Sequence, residues 1–308
     1  MKSITEAGNL QGKCVLVRVD WSVPIKEGRV INDYQIKATL PTLKYLQEAG
    51  AKVIVATHLE STSDSMDSLK PYLPEGMELL PNLRENAGEQ ANSEEFAKEL
   101  ASKADIYVNE AFPESHRPYA SIVSVPKFLP SFAGLRFAEE VAALSKAFYP
   151  PHLFLLILGG AKIETKLPLV EKFAHIADTI FIGGAMAKRA SELELSKNTK
   201  VMFPTGDLSA LDANAETLAI LKKKIAEAKF IIWNGPLGQY ETGYTEYTHV
   251  LAQALAEAKA EVIIGGGDTL AAIESLNLLN QFSFVSTGGG AMITFLATGT
   301  LVGIEALK

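Results

Sequence analysis

The sequence predicts an α/β protein of two domains, each built on a parallel sheet covered by helices. Two observations carry this. Strand-like apolar runs alternate with helix-period segments along both halves of the chain. The runs at 153–158 and 262–264 are continuously apolar and stop at glycines, as strands buried on both faces do. In the first half, residues 15–19 alternate with Arg18 and Asp20 and end in the turn VPIKEG, which reads as strand then loop. Residues 32–49 place Ile36, Leu40, Leu43 and Leu46 at helical spacing, and Gly50 stops that helix before a strand at 52–57. A helix at 94–103, a strand at 106–108 and a longer helix at 135–148 follow, and Pro150-Pro151 ends the last of these. The domain boundary is placed there, giving domains 1–148 and 149–308. The second half reads as strand 153–158, helix 163–173, strand 179–182, helix 216–228, strand 229–233, helix 246–258 and strand 261–264.

Composition narrows the function classes. At 308 residues and 47% hydrophobic content the chain is long enough for two cores. A formal charge of -7, with no basic stripe interleaved with aromatics, argues against a nucleic-acid partner. No apolar run approaches the ~18–20 residues of a membrane span, so a cytoplasmic location is expected. The single cysteine, Cys14, excludes an internal disulfide and reads as a packed strand residue. His152, His175 and His249 show no metal-ligand spacing.

The chemistry-bearing signals are glycine clusters after apolar runs: GGAKIETK at 159–166 and GGGDT at 265–269, joined by IGGAM at 182–186, WNGPLG at 233–238 and STGGGA at 286–291. At the carboxyl end of a parallel strand, glycines let the backbone approach an anion, and the next helix offers unpaired N–H groups and the positive end of its dipole. That density points to a nucleotide. A dinucleotide dehydrogenase is disfavoured, because Asp20-Trp21-Ser22 stands after the first strand where GxGxxG is needed.

RVDWSVP, ATLPTLKYLQEAGAKVIVATHL, NLRE, YVNEAFPESHRPYAS, LGGAKIETK, IGGAMA, WNGPLGQYE, IIGGGDT and VSTGGGA follow in an order that resembles the phosphoglycerate kinase family from about residue 5 to the end. The resemblance implies two Rossmann-like α/β domains facing across a cleft, joined by a long helix, with the last few residues returning to the first domain. It implies a monomer whose partners are small molecules. The N-terminal domain would take 3-phosphoglycerate or 1,3-bisphosphoglycerate, and the C-terminal domain ADP or ATP with Mg2+. The chain is short for the family, with the missing residues around 60–80 and 195–215.

By this resemblance, Lys162 and Lys166, four apart on one helical face, approach the phosphates and act in catalysis with Arg84 and Arg117. Asp268 holds the metal, Thr269 binds phosphate oxygens and Glu241 meets the ribose. Gly159, Gly160, Gly183 and Gly184 complete one side of the nucleotide site, with Asn234 and Pro236 beside them. Gly265, Gly266, Gly267, Gly288 and Gly289 complete the other. The acid site comprises Asp20, Trp21, His58, Arg84, His116 and Arg117. Arg18 shares a strand face with Asp20 and is expected to orient that carboxylate. Ala185 replaces a family glycine and DANA at 212–215 a family turn.

The acid site departs further. Gln35 stands where the family has its catalytic arginine, Ser61 replaces another arginine and Ser22 an asparagine. A well-placed arginine in phosphoryl transfer is worth roughly 10³–10⁵ in rate, on the order of 4–7 kcal/mol. Lys37 is two helical positions on, roughly 200° away, and replaces it poorly. Arg136 and Lys188 are basic where the family is usually not, and read as solvated surface residues. Beside an active kinase, two readings stay open: a member that binds nucleotide without the kinase step, and a kinase for another small acid.

Overall fold

The computed structural model describes residues 1–61 and 64–308, with Ser196 described by its backbone alone. Residues 62 and 63, in the first trimmed stretch, lie outside the described residues. The chain divides into two compact units, Met1–Ala142 with Thr300–Lys308, and Ala143–Gly299.

In the first unit, β1 (Cys14–Arg18) is followed by a small hairpin of β2 (Ile25–Lys26) and β3 (Arg29–Val30), then α1 (Tyr34–Glu48), β4 (Lys52–Ala56) and β5 (Glu78–Leu79). The short helix α2 (Ala87–Gln90), α3 (Glu94–Ala101), β6 (Ile106–Asn109), β7 (Ser131–Ala133) and α4 (Leu135–Ser145) come next. The sheet runs β5-β4-β1-β6-β7, with every pairing parallel. Strand order therefore reverses between β1 and β6, the switch point at which open α/β sheets bind ligands. The core packs Val15, Val17, Val53, Val55 and Val108 against Ile36, Leu43 and Leu46 of α1. Each such buried side chain contributes ~1.5–3 kcal/mol, and the spacing of the α1 residues is what directs that face inward.

In the second unit come β8 (Phe154–Leu158), α5 (Leu167–Phe173), β9 (Thr179–Ile182), α6 (Met186–Glu192), β10 (Val201–Met202) and α7 (Ala215–Glu227). They are followed by β11 (Phe230–Asn234), α8 (Glu246–Ala256), β12 (Glu261–Gly265), α9 (Gly267–Ser275), β13 (Phe284–Val285) and α10 (Gly289–Thr298). This sheet, β10-β9-β8-β11-β12-β13, is also parallel and reverses between β8 and β11. Every residue of β8 and β11 is buried, as their continuous apolar runs require. The last helix, α11 (Val302–Glu305), belongs to the first unit, where Gly303 N donates to Ser115 O at 2.9 Å.

Two expectations change. The helix expected at 163–173 begins only at Leu167, because Pro168 is acceptable in its first turn and the residues before it turn on Ile163, whose carbonyl accepts from Lys166 N and Leu167 N. The long helix expected over 135–148 is α-helical to Ser145 and tightens to a 3₁₀ turn at Lys146–Phe148.

Candidate active site

The second unit builds its site from backbone. The ends of β9, β8, β11 and β12 are level, with Leu158 beside Ile182 and Asn234, and Asn234 beside Gly265. The loops leaving these ends interlock: Gly159 N donates to Asn234 O at 2.9 Å, Gly160 N to Pro236 O at 2.8 Å and Met186 N to Gly160 O at 3.1 Å. A Cβ on Gly184, whose φ is +69°, would stand 2.6 Å from Gly160 N, and one on Gly159 would enter the backbone of Gly235 and Pro236. These two glycines are required by loop-to-loop contact.

Lys166 turns back over this junction and donates to Gly159 O and, at 3.4 Å, to Asn234 O. Burial lowers its pKa from 10.5 to about 8, against the opposing pull of Asp268. Asp268 sits in the first turn of α9, where desolvation and then the Glu241 carboxylate raise its pKa. A pocket of about 250 Å³ lies here, lined by Gly160, Ala161, Ala185, Pro236, Gly238, Tyr240, Glu241 and Asp268 among others.

Of the expected nucleotide residues, Gly160, Pro236, Glu241 and Asp268 line the pocket. Lys162 is exposed, and both lysines precede α5, so they do not share a helical face. The Thr269 hydroxyl is buried and accepts from Gly235 N at 2.8 Å, pinning that turn instead of facing a ligand. Asn234 is likewise buried, its amide against the Met292 sulfur, and its contribution is its backbone carbonyl. Gly183 donates its N–H to Leu158 O, and Gly265 packs on Met292. Gly266 caps α9 with φ +109°, Gly267 opens that helix, and Gly288 and Gly289 do the same for α10. Trp233 is core, its indole N–H donating to Gly235 O at 2.8 Å.

The first unit builds its site from charged side chains leaving β1, β4, β5 and β6. Arg18, fully buried, donates from Nε to Ser121 Oγ at 2.9 Å, bonds Val19 O, lies 3.2 Å from His58 Nδ1 and 4.0 Å from Glu89. It does not orient Asp20, which instead accepts from Ser22 N at 3.1 Å and Ser22 Oγ at 2.6 Å. A guanidinium only donates, so His58 Nδ1 is the acceptor and Nε2 carries the hydrogen. Burial, then the charges of Arg18, Arg84 and Arg117, push the His58 pKa down to about 2. His58 is therefore a neutral, fully buried imidazole and not one of the cations of the site.

Arg84 pairs with Glu60 at 3.1 Å and Glu114 at 3.4 Å, and lies 5.1 Å over the Tyr119 ring. Arg117 pairs with Glu114 at 3.1 Å and also packs over Tyr119. Glu114 is almost completely buried, and desolvation, then the nearby Asp20, raise its pKa. Arg84 Nε and His116 Nδ1 are buried without hydrogen-bond partners among the described residues, and burial followed by Arg117 lowers the His116 pKa.

Trp21 is core, with Nε1 donating to Thr39 and its backbone N–H to Thr57. Ser22 and Gln35 are half-buried, Gln35 at the second position of α1, and Ser61 is exposed. Lys37 is exposed and paired with Asp33 at 3.0 Å, so it does not stand in for an arginine at 35. Arg136 is no solvated residue either: it pairs with the fully buried Glu140 at 3.0 Å. Lys188 is exposed, as expected. Among the described residues no group of three His, Cys, Asp or Glu could hold a metal, and no helix is long and apolar enough to cross a membrane.

The family model described as phosphoglycerate kinase matches residues 4–78, 72–194 and 188–299. The chain belongs to the phosphoglycerate kinase family. It is 34% identical to the phosphoglycerate kinase of Dictyoglomus turgidum, covering 97% of this chain and 96% of that one, and 33% identical to that of Finegoldia magna at 97% of each. The phosphoglycerate kinase structure from Coxiella burnetii superposes with a TM-score of 0.84 at 31% identity, over 99% and 98% of the two chains. That from Pyrococcus horikoshii gives 0.85 at 25% identity.

The alignment to the Dictyoglomus protein runs over 382 positions against 308 residues here, so this phosphoglycerate kinase family member is a trimmed one. Sequence reasoning missed the carboxylates of its first unit, Glu60, Glu89 and Glu114. Two of them stand in the motifs HLES and FPES, Glu114 three residues before its partner Arg117 and Glu60 far in sequence from its partner Arg84.

Proposed function

We propose that the chain transfers the acyl phosphate of 1,3-bisphosphoglycerate to MgADP, giving 3-phosphoglycerate and MgATP, and runs the reverse. The observation that carries this reading is the pocket lined by Gly160, Glu241 and Asp268 at the switch point of the second sheet, with Lys166 bonded to the adjoining Gly159 O, in a chain matched to one family of kinases almost throughout. The unit Ala143–Gly299 takes the nucleotide. The N-terminal turns of α9 and α10 offer backbone N–H groups to phosphate, and Glu241 accepts from the ribose. Lys166, partly desolvated, supplies a positive charge that bulk water does not screen.

Asp268 is an oxygen donor whose carboxylate is destabilised by burial and by Glu241, so it would hold a nucleotide-bound Mg2+. When present, the ion neutralises phosphate charge. The unit Met1–Ala142 takes the acid through Arg84 and Arg117, with His58 and Arg18 holding that cluster in place. Transfer requires that water be kept from the migrating group, as in other phosphoryl-transfer enzymes. Gln35 can donate a hydrogen bond to the migrating group but brings no charge. The partners are soluble metabolites, which suits a cytoplasmic monomer.

Thermal shift tests the nucleotide assignment. MgADP should raise the melting temperature, NAD should not, and Lys166→Ala should remove most of the MgADP effect. A shift by MgADP that is unchanged in Lys166→Ala would contradict the role given to Lys166.

A further inference from the structure

The acid site of the first unit already contains anions. Three guanidinium groups, Arg18, Arg84 and Arg117, stand among four carboxyl groups, Asp20, Glu60, Glu89 and Glu114. The imidazole between them is neutral, because Arg18 holds its Nδ1 as an acceptor. The two arginines that reach solvent, Arg84 and Arg117, share one carboxylate: Glu114 lies 3.4 Å from the first and 3.1 Å from the second, and its side chain is 7% exposed. Glu60 takes the other face of Arg84 at 3.1 Å and also meets His58 Nε2 at 3.3 Å. Both Nη atoms of Arg84 and Nη1 of Arg117 are engaged by the protein's own carboxylate oxygens, in positions that a phosphate or carboxylate would otherwise take, while Arg84 Nε is buried without a partner among the described residues.

We propose that Glu114 and Glu60 are internal counter-anions that set the specificity of the acid site: an incoming acid engages Arg84 and Arg117 only by displacing them. The proposal rests on the assignment of this cluster to the acid under the proposed function. Its physical basis is competition. A carboxylate on the same chain acts at a high effective concentration, and one that is almost fully buried resists exchange with a freely diffusing ligand. A highly charged acid such as 3-phosphoglycerate also approaches a cluster whose carboxylates outnumber its guanidinium groups, so like-charge repulsion opposes it until a carboxylate moves. The same arrangement favours acids of lower charge, which suffer less repulsion for each guanidinium they engage. Neither glutamate transfers a proton or touches the nucleotide; both act on affinity for the acid.

The test removes the charges while keeping the shapes. Glu60→Gln, Glu114→Gln and the double variant are titrated calorimetrically with 3-phosphoglycerate, and separately with MgADP. The acid should bind the double variant about tenfold tighter or more, a gain of roughly 1.4 kcal/mol, with MgADP affinity unchanged. Glu60 is 59% exposed, so its single variant folds in any case and should shift the acid in the same direction by a smaller factor. Acid affinity that is unchanged or weaker in both Glu60→Gln and the double variant would overturn the proposal. Turnover measured on the same samples reads the kinase assignment independently: tighter acid binding without turnover would refute that assignment and leave the counter-anion role standing.

Discussion

The two sites of this chain sit at equivalent places in their sheets and are built in opposite ways. In Ala143–Gly299 the site is made of backbone: glycines at strand ends lock four loops together, and few side chains reach the pocket. In Met1–Ala142 it is made of paired charges on long side chains, above a neutral buried histidine. A backbone site tolerates no addition where a Cβ would meet main chain, as at Gly159, Gly184 and Gly235, whereas a side-chain site can be altered one residue at a time while the sheet beneath stays intact. The departures Ser22, Gln35 and Ser61 all fall in the second kind of site.

The sharpest way to break this contrast is a methyl group. Gly159→Ala forces its Cβ into the backbone of Gly235 and Pro236, so urea unfolding should show a loss of about 4 kcal/mol or more, in the range reserved for strain or overpacking. Gly267→Ala meets nothing within 4 Å and should stay within about 1 kcal/mol of the parent. Equal costs at the two positions would show that the loops are not locked.

A smaller effect is expected at the buried carboxylate of the first unit that caps α4. Glu110, wholly buried, bonds the Thr42 hydroxyl and accepts from Arg136 N at 3.0 Å and Phe137 N at 2.9 Å, capping α4. Glu110→Ala leaves these donors buried and unpaired, and should cost ~2–4 kcal/mol in the same unfolding experiment.

The smallest effects are read as pH dependence. Burial raises the Glu110 pKa from 4.5 to about 7, so the native state holds this proton more tightly than the unfolded chain. Its contribution to stability is full below 4.5 and is lost as pH rises towards 7. His58 has the opposite sign: with its pKa lowered from 6.5 to about 2, the unfolded chain takes the proton first, and stability is lost as pH falls below 6.5. Urea midpoints between pH 5 and 7 should therefore show a gentler acid loss in His58→Gln than in the parent. Parallel curves would mean that His58 is protonated in the native state.

Much of this was legible in the sequence. Strands 154–158 and 261–265 announced themselves as the apolar runs 153–158 and 262–264 that stop at glycines, and α1 by the spacing of Ile36, Leu43 and Leu46. The two-residue strands at 78–79, 201–202 and 284–285 were not legible, because two residues carry no period. Helix α10 was missed because apolar residues surround it, leaving no polar face to mark the 3.6 period. In the sites, glycine clusters located the loops but could not separate a glycine that faces a ligand from one that admits another loop. Asn234 and Thr269 were read as ligand contacts although they brace turns from within. The charge of the acid site was misjudged for a similar reason: cations were counted in the motifs, while pairing with Glu60 and Glu114 depends on where three strand ends bring them.

The measurement that bears most directly on the central claim is a coupled assay of ADP formation from MgATP over a range of 3-phosphoglycerate concentrations, with a blank lacking the acid. A phosphoglycerate kinase should show turnover that saturates with the acid and vanishes in the blank. ADP formation that is absent, or indifferent to 3-phosphoglycerate, in a protein that MgADP stabilises would contradict that function.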